Sequence, residues 1–581
     1  MNNDNELKVI IVDLLRKIAE VRKSEAEARA RLVVVESERD AAQSERDAAE
    51  SERDAADARF AAIEGSTAWR LTAPFRALLD VARRTIGPSR NSAAHIASTT
   101  EMPMAESLRA AIPAESLQAA IPAESLQDAI PAIASIKDAF RDRCSRELDS
   151  FLAGSSMLAL PASSAPQVSV LLVLHNQSEL TFHCLQSLSR TLEYNSEVII
   201  LDNASTDRTA QLLDRIEGAR VIRSPENLHF LRGVNRAAQE AKGRYILLLN
   251  NDTSVAPGAI AAASARFDTE PDLGAVGGPI VRLDGTLQEA GAIVWNDGNC
   301  QGYGQGREPD HWEFGFRRDV DYCSGAFLMV RRTLFERLEG LDPAYAPAYF
   351  EETDLCMRIR AEGFRVAYEP EARIMHFEYG SSSNSDAPAL LYKKNHEIFT
   401  ERYRSVLKDS HWAPQEGDLR ARMCKRTTVR ILVIDADTSQ TRDNGHSTLS
   451  RKLSHPMLDA GFFVTYCSLA STAEDRESIR IEIPKEFEVA NLTSLDELMT
   501  MIHDRKSYYD FILIEDFANN SSLMDKLELI NDCSDSAVLI NIGSRRRGLP
   551  HNRGDEVDGP ERHRVPNSKL LKASSERSRP P

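Results

Sequence analysis

From Pro166 onward the chain alternates short, unbroken apolar runs with amphipathic stretches. Val168 to Leu174 is apolar and rich in branched side chains, ends in the polar turn His175-Asn176-Gln177-Ser178, and gives way to helical spacing through Leu188. The pattern then repeats with Val198 to Asp202, a helix from about Thr209, a short strand at Val221-Ile222, a helix over Gly233 to Ala241 and a strand from Tyr245 to Leu249. Strands without polar alternation are buried on both faces, and strands alternating with helices predict a mostly parallel sheet with crossover connections. In such a sheet ligands collect at the carboxyl ends of the strands. A second α/β pattern starts at Val429, with Arg430 to Asp435, a turn at Gly445, a helix, Phe463 to Thr465, Phe511 to Glu515 and Ala537 to Asn541. It predicts half of a nucleotide-fold domain. From Gly543 periodicity ends, and the polar, basic remainder reads as disordered.

Upstream of Pro166 the pattern is different. Leu7 to Ala62 has almost no Gly or Pro and is rich in Ala, Glu, Arg and Leu, which predicts one long helix. Within it Ser-Glu-Arg-Asp-Ala-Ala recurs from Ser37, Ser44 and Ser51, a heptad that keeps Ala41, Ala48 and Ala55 on one stripe. The stripe suits a coiled coil and self-association. A solvated single helix held by pairs such as Arg46 with Glu50 accounts for it as well. Between Gly87 and Pro166 the unit Ala-Glu-Ser-Leu recurs at Ala105, Ala114 and Ala123, each copy closed by Pro113, Pro122 or Pro131. Proline blocks helix continuation, so this stretch reads as a flexible tether of short helical turns.

Composition narrows the function. With 71 basic against 88 acidic residues the formal charge is -17, which disfavours nucleic acid and anionic surfaces as partners. The eight cysteines form no C-x-x-C pair and read as reduced, buried thiols. No run of about 18 apolar residues is present and no secretory signal opens the chain, so a transmembrane span is not expected. The expected location is the cytoplasm, with any membrane contact peripheral, at the inner face of the plasma membrane.

Candidate chemistry sits at the strand exits. His175 and Asn176 after the first strand, and Asp202 to Asp207 after the second, place short polar groups where a doubly wound sheet binds nucleotides. Asp202 is suited to a base or ribose, and Asp207 to capping the next helix. The strand Tyr245 to Leu249 ends in Asn250-Asn251-Asp252, where a carboxylate can hold Mg²⁺ or Mn²⁺ against a departing diphosphate. Glu351, Glu352 and Asp354 crowd one helix start; helix-dipole placement explains one acid there, while mutual repulsion of three points to a raised pKa and a general base. His376 closes a strand-like run from Arg373 and is apt as a metal ligand. Trp295, Tyr345 and Tyr349 are candidates for stacking on a ligand ring, with core packing an equal alternative for Trp295.

In order and spacing, the segments Val168 to Asn176, Glu197 to Thr209, Asn227 to Asn235, Leu248 to Val255, Ser324 to Ala326 and Phe350 to Arg358, followed by His376, resemble the family 2 glycosyltransferases, in particular their bacterial rhamnosyltransferase-like branch. The resemblance implies a GT-A fold, a mostly parallel mixed sheet flanked by helices, over residues 166–405. It implies inverting transfer from a nucleoside-diphosphate sugar to a hydroxyl of a glycan or lipid-linked saccharide, in surface polysaccharide synthesis. Asp202 would hold the nucleoside, with His175, Asn176, Asn250 and Gly325 also lining the donor. Asp252 and His376 would hold the divalent metal, Glu352 or Glu351 would be the base, and Asp354 would lie in the acceptor pocket. Two positions depart from the family pattern: Asn250 replaces the first acid of D-x-D, and the base position carries Glu instead of Asp. The segment from Ile431 resembles the amino-terminal half of GT-B enzymes. The expected organisation is therefore a coiled-coil helix over 1–64, a linker over 65–165, the GT-A domain, a linker over 406–428, a partial GT-B-like domain over 429–543 and a tail over 544–581. The competing reading is a non-catalytic scaffold of a polysaccharide assembly, built on a degenerate transferase. Nucleotidyl transfer would need a basic glycine-rich loop after the first strand, which His175-Asn176-Gln177-Ser178 does not supply.

Overall fold

The computed structural model describes residues 123–193, 195–378, 387–424, 428–435, 449–468, 480–515, 526, 530, 538–542 and 571–572. The expected coiled coil, most of the expected tether and most of the expected tail lie outside these residues. From Gln127 onward the described chain belongs to one compact unit.

The catalytic-domain sheet contains β1 (Val168–Leu174), β2 (Ser196–Asn203), β3 (Ala219–Ser224) and β4 (Tyr245–Leu249), all mutually parallel where they pair. These are the apolar runs read from the sequence, and every residue of β2 and β4 is buried. Each fully buried Leu, Ile or Val contributes about 1.5–3 kcal/mol, which is why these runs seek the sheet centre. Helices α2 (Ser178–Thr191), α3 (Thr209–Leu213) and α4 (His229–Ala238) connect them. Past β4 the sheet turns mixed. It takes in β6 (Leu273–Gly277), β9 (Arg318–Asp319), β10 (Phe327–Arg331) and β11 (Arg365–Tyr368), in the order β9-β11-β6-β10-β4-β1-β2-β3, with β10 antiparallel to both its neighbours. The order reverses direction between β1 and β4, so the exits of those two strands open on one crevice.

A second sheet of four strands runs β8-β7-β12-β5, from β5 (Thr253–Val255), β7 (Pro279–Val281), β8 (Leu287–Ala290) and β12 (Ile374–His376). Helices α5 (Ala259–Thr269), α6 (Glu351–Ala361) and α7 (Ala387–Ser410) complete the domain.

Three segments differ from the sequence reading. The last of the proline-bounded repeats is not a set of short turns: α1 runs from Ala123 through Pro131 to Ala153, 31 residues. Proline costs that helix one backbone hydrogen bond, and the second half is held by tertiary contacts, with Cys144 and Leu148 buried against the domain. The stretch expected as a linker after residue 405 is packed as well. His411 Nδ1 lies 2.8 Å from the Val294 carbonyl, and Trp412 and Ala421 belong to the catalytic-domain core. The carboxyl-terminal domain holds more strands than the four read from the sequence. Its strands β13 (Arg430–Asp435), β14 (Phe463–Ser468), β15 (Glu488–Asn491), β16 (Phe511–Glu515), β17 (Val538–Ile542) and β18 (Leu571–Lys572) form a parallel sheet of six in the order β15-β14-β13-β16-β17-β18. Numbered along the chain this is 3-2-1-4-5-6, a full doubly wound sheet. Its last strand comes from the stretch read as tail, where two residues, Leu571 and Lys572, are too few to show a period.

The two domains share a buried ionic cluster. Arg422, fully buried, donates to Glu488 Oε1 at 2.7 Å, Arg505 donates to Glu488 Oε2 at 2.6 Å, and Glu313 of the catalytic domain lies 3.6 Å from Arg422. Phe316 of the catalytic domain packs in one apolar cluster with Leu432, Phe463 and Tyr508. A cavity of about 640 Å³ lies at this junction, lined by Trp312, Tyr368, Arg480 and Lys485 among others; none of the candidate site residues lines it.

Candidate active site

The donor side is built where β1 and β2 end. Asn176 and Gln177 both take left-handed backbone, with φ of 59° and 58°, a conformation Asn tolerates better than most residues. That turn is locked to the loop after β2. The Asn176 N–H donates to Ser205 Oγ at 2.9 Å, the Thr206 N–H donates to Asn176 Oδ1 at 2.8 Å, and the Ser205 N–H donates to Asp202 Oδ1 at 3.0 Å. His175 Nδ1 lies 2.9 Å from the Asn203 carbonyl. His175, Asn176 and Asp202 are thus brought together. Asp207 caps instead: it accepts from the Ser178 N–H at 2.9 Å and from the Thr209 N–H at 3.0 Å, holding the starts of two helices. Burial pushes its carboxyl up, but these bonds win and leave it below the usual range.

The pairing of β5 with β12 decides where His376 goes. His376 is the register partner of Thr253, so it lands beside the residue before it, Asp252. His376 Nε2 lies 3.1 Å from Asp252 Oδ1 and 3.4 Å from Asn250 Nδ2, while its Nδ1 lies 2.8 Å from Gln288 Oε1. In the tautomer that donates Nδ1–H to Gln288, Nε2 turns a lone pair towards a carboxylate oxygen. Two acceptors so close call for a proton or a cation. A hard divalent cation with ligands at about 2.1 Å and right-angled geometry sets neighbouring ligand atoms about 3.0 Å apart, so this spacing fits one. Among the described residues no group of three or more His, Cys, Asp or Glu is arranged to hold a metal. The pair therefore offers two strong ligands, with Asn250 beside them.

The acidic helix start is the third part. Tyr349 and Phe350 have φ of 75° and 71°, strained for aromatic residues, and lead into α6. Glu351 is buried and its Oε2 has no hydrogen-bond partner among the described residues. Burial and the neighbouring Glu352 hold its carboxyl well above the ordinary range. Glu352 is partly exposed; burial raises its carboxyl too, against amide hydrogen bonds that include Gly325. Asp354 is not with them. It is fully buried and accepts from Arg358 at 2.6 Å, Arg402 at 2.7 Å and Tyr403 at 2.8 Å, so both its oxygens are committed within the protein and no acceptor pocket reaches it. Of the aromatic candidates, Trp295 and Tyr345 are core residues, and Tyr349 alone is open, 41 % exposed.

Glu289 was not singled out from the sequence, yet it joins the two halves. It follows Gln288, the partner of His376, and accepts the Ser324 N–H at 3.1 Å, one residue before Gly325. Burial pushes its carboxyl up to about 7; the Ser324 amide opposes this, the charge of Glu352 adds to it and His376 opposes it. The charges of Glu352 and of His376 therefore both act on Glu289. A lone acid in Leu287-Gln288-Glu289-Ala290 carries no sequence signal of this. A Cβ built on Gly325 would meet Phe230 at 3.6 Å and Glu352 Cβ at 3.8 Å, ordinary contacts, so nothing within the chain demands glycine there.

Residues 169–338 match the family model described as Glycosyl transferase family 2. The uncharacterized protein y4gI of Sinorhizobium fredii is 26% identical over 239 residues, 39% of this chain and 26% of that protein. The O-antigen biosynthesis protein RfbC of Myxococcus xanthus is 28% identical over 239 residues, 39% of this chain and 18% of that protein. The N-acetylglucosaminyl-diphospho-decaprenol L-rhamnosyltransferase of Mycobacterium tuberculosis is 26% identical over 275 residues, 42% of this chain and 87% of that enzyme. The match thus spans 26% and 18% of the length of the first two relatives and most of the third. No helix among the described residues is long and apolar enough to cross a membrane. The parallel half-sheet with its crevice, the mixed half beyond it and the matched stretch agree: the chain carries a glycosyl transferase family 2 domain with a GT-A fold.

Proposed function

We propose that the chain transfers a sugar, with inversion, from a nucleoside-diphosphate sugar to a hydroxyl of a glycan or lipid-linked saccharide in surface polysaccharide synthesis. What supports this reading is a run of contacts from Asp252 to His376, from His376 to Gln288, and from the adjoining Glu289 to Ser324, whose neighbour Gly325 lies beside Glu352. Asp202, Asn176 and His175 hold the nucleoside and Gly325 leaves room for the donor sugar. Asp252 and His376 hold Mg²⁺ or Mn²⁺, which when bound supplies charge neutralisation for the leaving diphosphate. Glu352 takes the proton from the acceptor hydroxyl as that oxygen attacks the anomeric carbon from the face opposite the diphosphate. Its partial exposure favours it over Glu351, whose carboxyl is buried and shapes the site from behind. Asp354 acts as a positioning residue that anchors α6 to α7 through Arg402 and Tyr403. Because the mycobacterial relative is an L-rhamnosyltransferase, nucleoside-diphospho-L-rhamnose is the first donor to try.

A panel of sugar nucleotides with Mn²⁺ or Mg²⁺, read by nucleotide release and by the anomeric configuration of the product, tests the proposal. Absence of metal-dependent turnover and binding across the panel would count against it. The scaffold reading draws support from Asn250 standing where a second acid is expected. Complementation of a deletion by a Glu352→Ala, Asp252→Ala double variant would favour the scaffold.

A further inference from the structure

Phe377 follows His376, and its backbone N–H donates to the Asp252 carbonyl at 3.0 Å. One residue therefore ties together the two strand ends that carry the proposed cation ligands. Its ring is fully buried, and part of what covers it comes from ahead of the residues that the family model matches. Phe140 of α1 stacks on Phe377 with centroids 4.3 Å apart and planes at 28°, and His183 of α2 meets both rings, 5.3 Å from Phe140 and 5.5 Å from Phe377. One turn earlier on α1, Lys137 Nζ donates to the Glu378 carbonyl at 3.3 Å. The helix is pinned to α2 by Arg141, which donates to Glu179 at 2.7 Å, and by the buried thiol of Cys144 in the same apolar cluster as Leu180 and Phe377.

We propose that Phe140 is a positioning residue of the active site: by clamping Phe377, the helix that precedes the family domain sets the spacing of Asp252 and His376. A ligand pair works only when its supporting shell holds it within about half an ångström. Asp252 and His376 are far apart along the chain; the β5–β12 pairing and, beyond its end, the Phe377 amide link them, and Phe140 is the side chain stacked on Phe377. The functional unit thus begins in α1, ahead of the residues that the family model matches.

The inference rests on the reading that Asp252 and His376 hold a cation, and its test separates the two. In the full chain without metal, amide exchange at Phe377 is followed in the wild type, Phe140→Ala, Phe140→Tyr and, as a control that loosens α1 elsewhere, Arg141→Ala; Mn²⁺ affinity is then measured in each and in Asp252→Ala. Phe140→Ala should speed Phe377 exchange at least tenfold and weaken Mn²⁺ about tenfold or more, as removal of supporting partners does at metal sites. Phe140→Tyr, which keeps the ring, should restore both, and Arg141→Ala should leave both near wild type. Unchanged Phe377 exchange in Phe140→Ala, or an equal effect of Arg141→Ala, overturns the positioning role. If Mn²⁺ affinity is alike in the wild type and Asp252→Ala, the cation reading fails while the exchange result still decides whether Phe140 holds the strand ends.

Discussion

Asp252 Oδ1 and His376 Nε2 lie 3.1 Å apart although 124 positions separate them in the chain, brought together by the antiparallel register of Thr253 with His376. Their neighbourhood also holds Gln288, which fixes the imidazole, and Glu289, which senses Glu352.

If this pair holds the cation, Asp252→Ala and His376→Ala should each lower sugar transfer about 10²-fold or more, with Gln288→Ala costing about tenfold through the loosened imidazole. Nucleotide release at several Mn²⁺ concentrations checks this. Rescue of Gln288→Ala by high Mn²⁺ with no rescue of Asp252→Ala is the expected pattern, and full activity of Asp252→Ala would remove the metal pair from the mechanism.

The two glutamates at the helix start should separate cleanly. Glu352→Gln keeps the shape and removes the base, so transfer should fall about 10²–10⁴-fold while donor binding persists. Glu351→Gln replaces a buried carboxyl that burial and Glu352 push well above the ordinary range, so its effect on transfer should stay within about tenfold. Parallel measurement of turnover and donor affinity decides between them, and the reverse order of effects would assign the base to Glu351.

Glu289 makes stability depend on pH. Its carboxyl is raised to about 7 in the fold, against about 4.3 when unfolded. The folded state therefore binds the extra proton, and the contribution is fully present below about pH 4.3 and lost as pH rises through about 7. The loss is on the order of 3 kcal/mol. Urea unfolding between pH 5 and 8 should show this decline in the wild type and a flatter profile in Glu289→Gln. An identical slope in both proteins would mean that Glu289 is ionised throughout.

The domain junction titrates in the opposite sense. Burial raises the Glu488 carboxyl, but Arg422 and Arg505 overwhelm that and hold it far below the usual carboxylate range. Its contribution is present above about pH 4.3 and is lost as pH falls further. Glu488→Ala leaves two buried guanidinium groups with only Glu313, 3.6 Å from Arg422 and 3.8 Å from Arg505, as a carboxylate nearby, and should destabilise by about 3–5 kcal/mol. Thermal unfolding near neutral pH measures the loss, and an unchanged midpoint would show that the arginines find other partners.

Much of the catalytic domain was legible along the chain. Val168–Leu174, Tyr245–Leu249 and Arg430–Asp435 match the runs read from the sequence residue for residue, because a strand buried on both faces is predominantly apolar. The polar exits after them marked His175, Asn176, Asp202 and Asp252 as site candidates, since a parallel sheet leaves its ligands nowhere else to bind. What the sequence could not settle is who meets whom. Asp354 reads as one of three equivalent acids, and only packing reveals that Arg358, Arg402 and Tyr403 enclose it. Glu289 carries no motif; its raised carboxyl comes from burial beside Glu352, a neighbour 63 positions away in the chain. The helix through Pro131 runs against local propensity because Phe140, Cys144 and Leu148 are held by residues far along the chain. Local periodicity is set by what each segment buries and can be read in place, whereas charge pairing, desolvation and register are sums over distant segments that exist only once the sheets have closed.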